Sequence, residues 1–70
     1  MSYSWAPEKG AESYKLAFFT LDGKLVKEFN TTDPNYEVAL PPGTYRWIVW
    51  AYVGGLAKSK AIVNSEVTTP

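Results

Sequence analysis

Seventy residues with seven basic and seven acidic side chains, no histidine and no cysteine make one domain at most. They exclude a disulfide framework, the usual zinc ligand sets and the common nucleophile–base pairs. Charges scattered singly around a net charge of zero give no basic stripe for a phosphate backbone, and no apolar run approaches the roughly 20 residues of a membrane helix, so neither a nucleic-acid partner nor membrane insertion is expected.

No stretch keeps apolar residues at helical spacing for three turns, and turn residues recur about every 8–12 positions, so the reading is all-β. A short extended piece (YSW) at residues 3–5 runs into a loop marked by Pro7 and Gly10. Residues 13–21 (SYKLAFFTL) then alternate Tyr14, Leu16 and Phe18 against Lys15, Ala17 and Phe19, and they end at Asp22-Gly23, a strong hairpin signal because glycine accepts positive φ without steric cost.

The returning strand is KLVKEFN, followed by a turn around Pro34. YEVAL is a short strand with Tyr36, Val38 and Leu40 on one face, and Pro41-Pro42-Gly43 stops it, since consecutive prolines cannot continue a ladder. The next strand, TYRWIVWAY, closes at Gly54-Gly55, and residues 57–69 read as one last strand of poor alternation with a bulge near Asn64. The count is five longer strands and a stub.

Three tryptophans, five tyrosines and three phenylalanines make 16% of the chain, and each ring can bury roughly 150–250 Å². A chain of this length buries only about 60% of its unfolded surface, so dense aromatic packing or association with another chain must support it.

At LPPGTYRWIVWA the sequence resembles a fibronectin type III domain, above all the bacterial kind whose penultimate strand reads like Pro-Gly-Thr-Tyr-Tyr-Trp-Arg-Val-Arg-Ala. YSWAP is similar to the end of that family's second strand, GAESYKL to the start of its third, and VTTP to its closing residues. The resemblance implies one immunoglobulin-like β-sandwich over residues 1–70, shortened at its N-terminus because the first strand and most of the second have no counterpart. It also implies core positions at Trp5, Tyr14, Leu16, Leu40, Tyr45, Trp47, Val49 and Ala51, with Tyr45 as the corner tyrosine whose hydroxyl bonds back to the backbone. Such domains serve as spacers, adhesive units or accessory units in extracellular, cell-surface and phage virion proteins. A sandwich short of a strand leaves an edge unpaired, and open edges template pairing with another chain.

The opening strand of that motif is apolar on both faces. With Tyr45, Trp47 and Val49 inward, Ile48, Trp50 and Tyr52 point outward beside Phe19, so Phe19, Ile48, Trp50 and Tyr52 form the candidate interface or ligand face. The occupant expected first is a second copy of the chain, with a dimer favoured; a sugar ring stacked on Trp50 or Tyr52 is the alternative, as is another protein. A register slip of one residue would exchange the two faces.

Chemistry-bearing constellations are sparse. Lys58-Ser59-Lys60 reads as a solvated edge, Glu28 and Glu37 as a conceivable carboxylate pair on adjacent strands, and Asn30-Thr31-Thr32 matches a glycosylation acceptor in a turn region. No catalytic, cofactor or metal residue is expected, and the chain reads as a non-catalytic structural or interaction module.

Overall fold

The computed structural model describes residues 1–70 apart from Ser59. Among them are seven strands and no helix: β1 (Ser2–Ser4), β2 (Ser13–Thr20), β3 (Leu25–Thr31), β4 (Asn35–Glu37), β5 (Gly43–Val53), β6 (Leu56–Ala57) and β7 (Val63–Thr69). β1 and β4 make a two-stranded sheet. The second sheet has five strands in the order β3-β2-β5, with β7 along one half of the far edge of β5 and β6 along the other.

Local chemistry sets the β2–β3 hairpin. Gly23 takes φ +92°, in the left-handed region that glycine enters freely, which lets the Thr20 amide donate to the Lys24 carbonyl at 2.8 Å. The Thr20 hydroxyl accepts from the Lys24 amide at 3.1 Å and locks the turn from the side-chain direction.

Alternation then decides what is buried. Tyr14, Leu16 and Phe18 on β2 pair with Ala51, Val49 and Trp47 on β5. Leu16, Phe18 and Val49 are fully buried, and each contributes roughly 1.5–3 kcal/mol of burial. β1 lies over this face: the Tyr3 ring meets Phe18 at 5.0 Å and Trp47 at 5.2 Å, and Trp5 meets Tyr14 at 5.5 Å. On β4, Tyr36 covers Phe29 of β3 at 4.9 Å. The two sheets thus enclose one core.

The chain departs from the sequence reading at several places. Residues 57–69 are two strands rather than one, because the Lys58 amide bonds to the Ala51 carbonyl and the Ile62 amide to the Val49 carbonyl, while β7 proper begins at Val63. Their poor alternation comes from that interruption. No bulge sits at Asn64, since the register runs unbroken from the Gly43 and Thr69 pair to the Val49 and Val63 pair. The irregularity falls instead between Phe18 and Phe19, where Val26 is the extra residue on β3. YEVAL keeps only Tyr36 and Glu37 in the ladder, although the Val38 amide still donates to the Met1 carbonyl at 2.9 Å. Leu40 and Trp47, expected in the core, are half-buried against its margin, and Tyr3, with no such expectation, is buried.

The corner before β5 is tightly bonded. The Tyr45 hydroxyl donates to the Pro41 carbonyl at 2.7 Å, and the Thr69 hydroxyl donates to the same oxygen at 2.9 Å. One acceptor therefore ties the start of β5 to the end of β7.

Candidate functional site

The outward face of the five-stranded sheet follows from its register. Pairing places Leu25, Phe19, Arg46 and Glu66 in one row and Glu28, Ala17, Ile48 and Asn64 in the next. Asn30, Lys15 and Trp50 make the third row, and Ser13, Tyr52 and Ala57 the fourth. The apolar members step diagonally across this grid, from Leu25 and Phe19 through Ala17 and Ile48 to Trp50 and Tyr52.

All four expected residues, Phe19, Ile48, Trp50 and Tyr52, lie on this face and are half-buried. The structure brings Ile48, Trp50 and Tyr52 into one column of β5, while Phe19 stands across from Arg46 at the far end and reaches Ile48 only diagonally. Ala17 shows why they form one surface. It points outward with no sheet above it, yet it is 1% exposed, so its neighbours close over it. Leu25, 52% exposed opposite Phe19, extends the band and was not anticipated. The signal was hidden because the extra residue on β3 shifts Leu25 onto the outer face, which strict alternation along KLVKEFN does not give.

Charges flank the band on both sides. Lys15 Nζ lies 3.3 Å from Glu28 Oε2 on one side. On the other, Arg46 Nη2 lies 3.4 Å from Glu66 Oε1, and Nη1 donates to Asn64 Oδ1 at 2.9 Å. Both pairs are solvent-accessible, so they contribute little to stability, but each border thereby carries one cation and one carboxylate at set positions.

The remaining sequence candidates do not assemble a site. Glu28 and Glu37 are not on adjacent strands, because β3 and β4 belong to different sheets and Glu28 is held by Lys15. Lys58 pairs with Glu8 at 3.4 Å, and Ser59 lies outside the described residues. Asn30 is exposed within β3 rather than in a turn. Among the described residues there is no cluster of three or more metal-ligating side chains. Burial pushes the Tyr3 phenol above its ordinary range, inside the core and away from this face.

The fold and face define an all-β protein of two antiparallel sheets, one of which carries an aromatic outer surface. No family model, curated protein or solved structure matches the chain.

Proposed function

We propose that this chain is a non-catalytic interaction module, a fibronectin type III-like sandwich with no counterpart of that family's first strand among the described residues, which associates with a second copy through its outward aromatic face and keeps a sheet edge open to an added strand. Two features support the fold reading. One is the strand order, β3-β2-β5-β7 in one layer and β1-β4 in the other. The other is the Tyr45 hydroxyl bonded to a backbone carbonyl just upstream, the corner found in sandwiches of this class.

The observation that carries the functional reading is the diagonal band. A row of large apolar side chains on a face that no other part of the described chain covers is the composition of an interface core, aromatic at the centre and charged at the rim. The edge is a second open surface. Met1 and Val38 exchange both backbone hydrogen bonds, so the alternation of an antiparallel ladder turns the amides and carbonyls of Ser2 and Ser4 away from β4. β1 sits over β2 and β5 while β4 sits over β3, and that free edge therefore points toward β7, whose Val63 and Val67 are half-buried. β1 carries no charge, proline or bulge to guard it.

The test is molar mass by light scattering at neutral pH, from about 5 to about 500 µM, a range that brackets a weak dimer. A concentration-dependent dimer is the expected result. A monomer at every concentration overturns the reading, and if such a monomer shows a tryptophan blue shift with one polysaccharide, Trp50 and Tyr52 serve sugar stacking instead.

A further inference from the structure

We infer that the second copy docks on the outer face about a two-fold axis running along the apolar band, so that the Lys15/Glu28 border of each copy lies over the Arg46/Glu66 border of the other. This rests on the self-association proposed above and specifies its geometry.

Area selects the face over the edge. Four rows at about 6.8 Å and four strands at about 4.8 Å give a footprint of roughly 27 by 19 Å, so a face-to-face pair buries on the order of 1,000 Å² in total, the lower limit of a specific interface. Pairing along the few residues of β1 covers a single strand's width and falls well short of that. Sterics point the same way. Two β1 edges paired about a two-fold would set the partner's large sheet where β7 already lies, so the edge suits a lone extended strand rather than a folded copy.

Charge selects the axis. An isologous face-to-face contact has its two-fold in the plane of the interface, and two directions superpose the band on itself. Arg46 and Glu66 lie in the row of Phe19, Glu28 in the row beside it and Lys15 one row further on beside Trp50, so both borders carry charge at the Phe19 end of the band and none at the Tyr52 end. An axis across the band reverses its ends while keeping each border over itself: Lys15 of one copy then meets Glu28 of the other, but Arg46 and Glu66 are set against the Tyr52 end, whose row of Ser13, Tyr52 and Ala57 holds no charge. An axis along the band keeps the ends together and sets Glu28 of one copy opposite Arg46 of the other, twice per dimer, so that both borders contribute to the contact and neither is laid against an uncharged end. Like charges meeting there would cost affinity, so the pairing also fixes the register of the two copies.

The experiment uses two double variants of the full chain, each of which reverses one border while keeping its own ion pair. The first is Lys15→Glu with Glu28→Lys; the second is Arg46→Glu with Glu66→Arg. Their circular dichroism and melting should match the unmodified chain, since exposed pairs are simply inverted. Each variant alone should dimerise at least tenfold more weakly than the unmodified chain, because like charges then face each other across the contact, two cations in the first variant and two carboxylates in the second. An equimolar mixture should form a heterodimer within about threefold of the original affinity, both of its contacts being complementary again. If the unmodified chain dimerises and each variant alone does so equally well, the axis is wrong while self-association stands. If the mixture fails to recover, the opposed borders are wrong. A chain that never dimerises removes the underlying proposal itself.

Discussion

The carbonyl of Pro41 accepts two hydroxyl hydrogen bonds, from Tyr45 and from Thr69, whose residues are each 7% exposed. Replacing Tyr45 by Phe removes one donor but leaves the carbonyl satisfied by Thr69, so the loss is that of one ordinary hydrogen bond, about 1 kcal/mol. Thr69→Val, nearly isosteric, should cost about the same, with Tyr45 still donating. The double variant leaves the oxygen with neither donor, which adds the desolvation penalty of about 1–3 kcal/mol for an orphaned acceptor. The double should therefore cost about 3–5 kcal/mol, with a coupling of at least about 1 kcal/mol between the sites. In a chain of this size each kilocalorie moves Tm by about 4–8 °C, so thermal melts followed by circular dichroism resolve the cycle. Additive effects in that cycle would refute the shared acceptor, showing that the Pro41 carbonyl is not shielded from water and that the two hydroxyls act independently.

Trp50→Ala should abolish the dimer and cost only about 1 kcal/mol of fold stability, because the ring is half-buried on an open face, whereas Trp5→Ala should cost about 3–5 kcal/mol; comparing melts with light scattering checks both, and an unfolded Trp50→Ala chain would reverse the face assignment. The Tyr3 phenol has its pKa raised by burial, so the unfolded chain ionises first. The stability it protects is fully present below about pH 10 and is lost as pH rises through the folded value. Denaturant unfolding at increasing pH should show that alkaline loss in the unmodified chain and a much shallower one in Tyr3→Phe.

Strand identity was legible where the chain is its own template. β2 and β5 announce themselves by alternation over eight and eleven residues, and the Asp22-Gly23 turn follows from glycine's backbone freedom. Features decided by what lies above or beside a strand were not legible. Trp47 points inward like Val49, but β1 reaches over only part of β5, so the indole ends half-buried at the margin. Tyr3 is buried because it lands on Phe18 and Trp47 from the other sheet, and a three-residue strand has no period to reveal this. The outward placement of Phe19, Ile48, Trp50 and Tyr52 follows from alternation alone. The inclusion of Leu25 depends on a bulge that sequence spacing put elsewhere.

The pairing of β1 with β4 also governs the order in which the molecule comes together. The β2–β3 turn is local and closes first at small entropic cost, but β1 must find β4 across half the chain, and loop closure over that span precedes any reward from Tyr3 and Trp5. The two rings that seal the core thus arrive on a short segment bonded along one edge only. That makes the first five residues open more readily than the central strands, a latch rather than a beam, and amide exchange at Tyr3 should outpace exchange at Leu16 or Val49.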